Sequence, residues 1–150
     1  MINDMKVVLT TLNGEKTLYV RDSDAMFFHP GPPAPPLRPV SISNSAVGGC
    51  DSFFDVFTHA GRKGVAGGVG LNNIGRLVEA YGFVLPISST SFYIDDGSGA
   101  PVKVVIPSGT PFPAPGSYRG ITGVVSTQLV GTNLIPVIKT RVITDIWPIP

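Results

Sequence analysis

Leu-Val-Glu-Ala-Tyr-Gly-Phe-Val-Leu, residues 77–85, sets the architecture of this chain. Its apolar and aromatic residues predict a β-strand, and Gly82 inside it is typical of a bulge or a sharp bend. Four further strands are predicted, at residues 91–95, 102–106, 118–129 and 134–146. The turns between them are rich in glycine, proline and aspartate, which commonly separate strands. Five antiparallel strands with a bend in the first predict an all-β domain closed as a small barrel.

The composition of the 150 residues also favours strands and turns over helices, since it includes 18 glycines and 15 prolines. Charged residues make up 14%, against roughly 25% in typical soluble proteins. The net charge is +1 and no lysine or arginine cluster builds a strong positive field, which disfavours nucleic acid as the main partner. A sparsely charged surface favours contact with neighbouring molecules, because charged residues are depleted in interface cores.

Four segments carry the pattern of a known family: residues 77–84, Phe92-Tyr93-Ile94-Asp95-Asp96-Gly97-Ser98-Gly99, residues 102–105 and residues 116–125. In this order, they resemble the first, second, third and fourth strands of the OB-fold family. The resemblance covers about residues 75–147 and implies a five-stranded OB-like barrel. Residues 67–75 are similar to linkers in uncharacterised bacterial proteins that carry OB-like modules in tandem.

The N-terminus resembles the hairpin that ends the predicted barrel. Residues 7–14, Val-Val-Leu-Thr-Thr-Leu-Asn-Gly, reappear in diverged form as residues 124–131, Val-Val-Ser-Thr-Gln-Leu-Val-Gly, and the match continues through Leu18 and Val20. Self-similarity at a fixed offset indicates a repeated structural unit. A two-stranded hairpin alone is marginal in water and leaves unpaired edges, so we expect other strands to complete it.

The chain therefore divides into three predicted parts. Residues 1–28 form an N-terminal β-hairpin arm, residues 29–70 a Pro/Gly-rich linker and interface segment, and residues 71–150 the OB-like barrel. Residues 29–39 are expected to form an extended polyproline II strut or, alternatively, a flexible tail. The tandem resemblance implies that residues 5–28 are similar to the last two strands of another such module.

No residue pattern predicts catalysis, a cofactor or a metal site. His29 and His59 lie in irregular segments without an acid or serine at recurring spacing. Cys50 is the single cysteine, which excludes an internal disulfide. Asp95-Asp96 is compatible with a calcium site, but aspartates in a turn more often accept backbone hydrogen bonds. We therefore predict a protein that is not an enzyme.

The apolar side of the N-terminal hairpin lacks a neighbouring element to cover it, so we predict that the arm is donated to a neighbouring subunit. Repeated head-to-tail donation between copies of this chain yields a filament or fibre. The predicted assembly interface consists of apolar arm residues and exposed aromatic residues, namely Val7, Leu9, Leu12, Leu18, Val20, Phe27, Phe28, Phe53, Phe54, Phe57 and Trp147.

The alternative function is binding of single-stranded nucleic acid, which OB-folds achieve with aromatic platforms beside a basic groove. The residues that would form this face are Tyr81, Phe92, Tyr93, Lys103 and Arg119. Because positive charge is scarce around them, self-assembly is the favoured prediction.

The sequence predicts no membrane partner, since it contains no run of about 18 apolar residues. Residues 1–6 lack the basic and then apolar layout of a signal peptide. We expect an extracellular filament if a signal peptide has been removed, and a cytoplasmic protein otherwise.

Overall fold

The computed structural model of the chain describes residues 7–12, 15–20, 37–58 and 60–149. These residues confirm the predicted all-β class. They form the strands β1 (Val7–Leu12), β2 (Glu15–Val20), β3 (Val40–Ser41), β4 (Leu77–Ser88), β5 (Ser91–Asp95), β6 (Val102–Val105), β7 (Tyr118–Val130), β8 (Asn133–Lys139) and β9 (Ile146–Pro148). Two 3₁₀ turns, Asn44–Ala46 and Ile143–Asp145, accompany them.

Strands β4 to β8 close into a ring of five hydrogen-bonded strands. Strand β4 pairs antiparallel with β5, and β5 pairs antiparallel with β6. Strand β6 pairs parallel with β8, β8 pairs antiparallel with β7, and β7 returns antiparallel to β4. The ring forms because apolar side chains alternate along each strand, so that one row of every strand faces inward.

The core lies inside this ring. Phe92, Ile94, Val104, Ile121 and Ile138 are fully buried there and come from four different ring strands. Burial of each such side chain contributes about 1.5–3 kcal/mol relative to an exposed position. The packing of these inward rows therefore holds the ring closed.

Gly82 marks the point where β4 changes neighbours. Residues up to Phe83 pair with β7, and pairing with β5 begins at Phe83. A Cβ on Gly82 would lie 2.6 Å from the backbone nitrogen of Asp95, so only glycine allows this approach of β4 to β5. The register shift itself occurs between Pro86 and Ser88, so the bulge lies farther along β4 than Gly82.

The predicted strand 134–146 is wrong in its second half, because the chain turns after Lys139. The buried Asp145 carboxylate accepts hydrogen bonds from the backbone N–H groups of Arg141 and Val142 and from the Arg141 guanidinium. Burial would raise the pKa of Asp145, but these hydrogen bonds outweigh it and lower the pKa. The resulting turn leads into β9, which pairs with the first part of β7.

Part of the predicted linker and interface segment packs on the ring. Strand β3 pairs parallel with the start of β4, and Val47 lies in the core. Asn44 is buried and donates from its side-chain nitrogen to the Ile94 carbonyl, while its backbone N–H donates to Asp96. Residues after β3 are therefore tied to the turn that follows β5.

The two aspartates of that turn serve the backbone, as the turn interpretation predicts. Asp95 accepts from the N–H of Gly97 at 2.8 Å, and Asp96 accepts from the N–H of Ser98 at 2.9 Å. Burial would raise the pKa of Asp96, but hydrogen bonds from Ser98 and Asn44 lower it. Both carboxylates therefore accept backbone hydrogen bonds that stabilise the turn.

Strands β1 and β2 form a two-stranded sheet of their own. They pair antiparallel, with Leu9 opposite Leu18 and Leu12 opposite Glu15. Residues 13–14, 21–36 and 59 lie outside the described residues, so the predictions for Asn13-Gly14, Phe27, Phe28, His29, His59 and most of the proline run are not addressed by the structure.

Candidate functional site

The loop between Ser52 and Arg62, here called the aromatic loop, presents bare apolar side chains to solvent. Phe53 is 98% exposed, Phe57 is 91% exposed and Val56 between them is also exposed. Phe54 is half-buried. Single exposed apolar residues are common on proteins, but three within five positions indicate an interaction surface.

Hydrogen bonds order this aromatic loop. Ser52 and Arg62 exchange two backbone hydrogen bonds of 2.8 and 2.9 Å, and the Asp55 N–H donates to the Ala60 carbonyl. The Asp55 carboxylate accepts from the backbone N–H groups of Phe57 and Thr58. The exposed rings therefore sit on a defined scaffold.

The same loop holds Phe53 in the left-handed backbone region, at φ 51°. A bulky residue there costs on the order of 1–3 kcal/mol, and such strain clusters at functional sites. Gly61 has φ 78°, and a Cβ on it would collide with the Phe53 carbonyl. The loop thus maintains a strained conformation that leaves the Phe53 ring uncovered.

A second apolar surface, here called the outer row, follows the outward positions of β4. Phe83, Leu85 and Ile87 alternate along the strand and are each about half exposed. Tyr118 lies opposite Phe83 on β7, and the two rings meet edge to face at 4.9 Å. The sequence interpretation did not identify the outer row. Its signal was the near-continuous apolar run of residues 77–85, typical of a strand covered on both faces.

The N-terminal hairpin exposes apolar side chains on both of its faces. Leu9 and Leu12 are exposed, and because side chains alternate along a strand they point to opposite faces. By the pairing register, Val7, Leu18 and Val20 occupy positions on the Leu9 face. The predicted arm residues therefore do not form a single anchor row, since Leu12 belongs to the other face.

Trp147 packs within its own chain. Its indole lies over Gly120, where a Cβ would collide with the ring, and Tyr81 meets it edge to face at 6.2 Å. Strand β9 pairs Trp147 with Gly120 on β7. The absence of a side chain at Gly120 makes room for the indole, which is half-buried.

The residues predicted for nucleic-acid binding are only partly brought together. Tyr93 and Lys103 pair across β5 and β6, whereas Phe92 is a core residue whose ring cannot stack on a base. The Lys103 ammonium donates to Gln128 at 2.9 Å. Arg119 on β7 donates to the Ser117 hydroxyl at 3.0 Å. The aromatic and basic groups thus do not line one groove.

Among the described residues, no three histidine, cysteine or acidic side chains lie close enough together to hold a metal ion. No helix in this part of the chain is long and apolar enough to cross a membrane. Comparison with protein-family models and with curated proteins finds no match. The function therefore has to be inferred from the exposed surfaces.

Proposed function

We propose that this chain is a non-enzymatic structural protein that assembles head to tail by donating its β1–β2 hairpin to a neighbouring subunit. The observation that carries the proposal is the exposure of apolar side chains on both faces of a ribbon whose described pairings are internal. A two-stranded ribbon of this kind is marginally stable alone, so covering strands from outside would stabilise it.

We further propose that the ring is an OB-like barrel. The strand order β4-β5-β6-β8-β7 with return to β4 supports this, as does the one parallel pair within the ring, β6 with β8. A five-stranded Greek-key barrel of the OB type has such a chain path. The match between residues 77–105 and OB strand patterns agrees with this assignment.

The other exposed apolar surfaces also support assembly over a monomeric state. The aromatic loop and the outer row are separate features, and neither resembles the hairpin. Contacts between unlike surfaces are heterologous, and repetition of a heterologous contact that does not close produces an open filament. Burial of each phenylalanine side chain would contribute about 1.5–3 kcal/mol to such a contact.

Binding of single-stranded nucleic acid has less support. Stacking platforms and free cations are the usual components of such sites. Here Phe92 is buried, and Lys103 and Arg119 each donate to a neutral neighbour.

Deletion of residues 1–28 tests the assembly proposal. The full chain should form polymers visible by negative-stain electron microscopy, and the deletion variant should sediment as a folded monomer. Polymers that persist in the deletion variant would contradict hairpin donation, and a monomeric full chain would contradict self-assembly. Circular dichroism of both proteins verifies that the ring is retained.

A further inference from the structure

We propose that a polar cleft beside the turn between β7 and β8, here called the turn cleft, binds one sugar unit of a neutral saccharide. The cleft has a volume of about 210 Å³ and lies between residues 63–66 and residues 132–134, with Asp51 at its side. The residues that line it belong to neither the N-terminal hairpin nor the outer row, so the proposal goes beyond assembly and is independent of hairpin donation.

Hydrogen bonds hold the walls of the turn cleft in place. The backbone N–H of Ala66 donates to the Leu134 carbonyl at 2.8 Å, which joins residues 63–66 to β8. The Asp51 carboxylate accepts a hydrogen bond from the backbone N–H of Gly64 at 2.7 Å, which fixes Asp51 against the same wall. The cleft is therefore built into the fold, as small-molecule sites usually are.

Asp51 and Lys63 bring opposite charges to the turn cleft without pairing with each other. Both residues are exposed. In the part of the chain that the structure describes, Arg141–Asp145 is the one ion pair within 4.0 Å, so the Lys63 ammonium lies farther than this from the Asp51 carboxylate. The cleft thus offers an acceptor and a donor at separate places, and its two charges cancel. A ligand that fits it is neutral overall, donates to Asp51 and accepts from Lys63.

Thr132 and Asn133 add neutral polar groups to the lining. A threonine hydroxyl donates and accepts, and an asparagine amide has two N–H donors and a carbonyl acceptor. Sugar hydroxyls also donate and accept, and a sugar ring presents several of them at fixed spacing. The volume of the cleft is below the roughly 300–1,000 Å³ typical of pockets for drug-sized ligands, so the cleft admits a single ring.

The aromatic loop extends from the same cleft. It starts directly after Asp51 and ends directly before Lys63, so its bare rings are carried by the chain between two residues of the cleft. The face of an aromatic ring is partly negative and attracts the C–H groups on the apolar face of a sugar. Phe53, which is 98% exposed, therefore offers a stacking surface to a saccharide longer than one unit. A free amino acid is also neutral overall, but it would make no use of this surface.

Saturation-transfer NMR of the full chain tests the proposal with the methyl glycosides of glucose, galactose, mannose and N-acetylglucosamine. At least one glycoside should receive saturation from the protein, with a millimolar Kd because water competes for the exposed polar lining. Saturation is transferred from monomers and from polymers alike. The result is therefore separate from that of the deletion experiment that tests self-assembly.

Two conservative variants locate the binding in the turn cleft. Lys63→Met removes the ammonium and Thr132→Val removes the hydroxyl, both at exposed positions, and thermal unfolding verifies that each variant keeps its fold. Each should raise the Kd about three- to tenfold, because each removes one hydrogen bond to the sugar. Lys139→Met, at an exposed lysine of β8 outside the cleft, is the matched control and should leave the Kd unchanged.

A β-1,4-linked dimer of the glycoside that binds examines the aromatic loop. The dimer should bind more tightly than the single unit, and Phe53→Gly should abolish this gain, since glycine removes the ring and accepts the positive φ. Equal Kd values for the dimer and the single unit in the unaltered chain would overturn the contribution of Phe53.

Three outcomes would overturn the saccharide site itself. The first is the absence of saturation transfer to all four glycosides. The second is a Kd that neither Lys63→Met nor Thr132→Val changes, because the sugar would then bind elsewhere. The third is displacement of the glycoside by free glycine at a lower concentration than the glycoside's own Kd, because the cleft would then be a site for a zwitterion.

Discussion

The first strands of the β1–β2 and β7–β8 hairpins share residues at alternate positions, but the two hairpins lie in different surroundings. Val125 is covered by other strands of the ring, whereas Val8 remains accessible on a ribbon that pairs with itself. The same residue type is therefore buried or accessible according to the strands that lie against it. The ribbon with exposed Val8, Leu9 and Leu12 is accordingly the feature around which we propose assembly.

The largest expected effect comes from placing a charge at the same position of each hairpin. Val125→Asp buries an unpaired carboxylate in the core and should lower the free energy of unfolding by more than about 4 kcal/mol. Val8→Asp should change it by no more than about 0.5 kcal/mol, since Val8 is accessible. Urea unfolding measures both variants.

Sedimentation of Val8→Asp then completes this comparison. The variant should remain folded and fail to assemble, because its carboxylate would be buried by the incoming strands. Ser108→Asp, at an exposed position in the loop after β6, is its control. Assembly of Val8→Asp at the level of the unaltered chain would show that this face of the hairpin is not used.

Gly120→Ala should have the next largest effect and examines the outer face of β7. A methyl group there collides with the Trp147 indole, so we expect a loss of about 1–3 kcal/mol in the free energy of unfolding. The double variant with Trp147→Ala should show less than additive loss, since the colliding ring is gone. Strict additivity in thermal unfolding would argue against the contact.

Asp145→Asn examines the turn that separates β8 from β9. Loss of charge-assisted hydrogen bonds to Arg141 and to the turn backbone should cost about 1.5–3 kcal/mol at neutral pH. The pKa of Asp145 is lowered in the folded protein, so its stabilisation is present above the unfolded-state pKa of about 3.9 and is lost as the pH falls through the folded value.

The stability difference between the unaltered chain and Asp145→Asn should therefore shrink as the pH is lowered below about 3.9. Urea unfolding at a series of pH values measures it. A difference that stays constant down to the lowest pH would mean that the hydrogen bonds to the ionised carboxylate do not hold this turn. Glu79→Gln, at a half-buried glutamate on β4, is a control for the general effect of removing a carboxylate.

Phe53→Gly should have the smallest effect on stability. Glycine adopts a positive φ without steric cost, so the free energy of unfolding should rise by up to about 1 kcal/mol or stay unchanged. If the aromatic loop contributes to assembly, polymers of this variant should already dissociate at a higher protein concentration than polymers of the unaltered chain. Phe57→Ser removes an exposed aromatic ring but leaves the strained backbone at Phe53 unchanged. It therefore separates the effect of losing a ring from the effect of relieving strain.

Strand positions were largely predictable because alternation and turn residues are local signals. The bounds 91–95 predicted for the second ring strand are those of β5. The break between β8 and β9 was not predictable, since it depends on hydrogen bonds that converge on Asp145. The pairing of β3 with β4 was likewise beyond a sequence pattern, because it joins residues far apart in the chain.

The exposure of side chains in the candidate site was harder to predict than the strand positions. Phe53 and Phe57 were expected on an interface and are bare, whereas Phe92 was expected on a binding face and lies in the core. Alternation shows that Phe92 and Tyr93 point to opposite faces, but it does not show which face the ring encloses. Trp147 was expected at an assembly interface, and its half-buried indole lies over Gly120.

By itself the sequence determined that the chain is all-β, where most strands lie, and that its N-terminal hairpin resembles, in diverged form, the one near its end. Only the tertiary structure decided which copy of that hairpin is covered, which aromatic rings are bare, and where the last strand breaks. The physical reason is that strand formation follows from alternation along a few neighbouring residues. Burial is determined by strands that approach from distant parts of the chain, which no local pattern records.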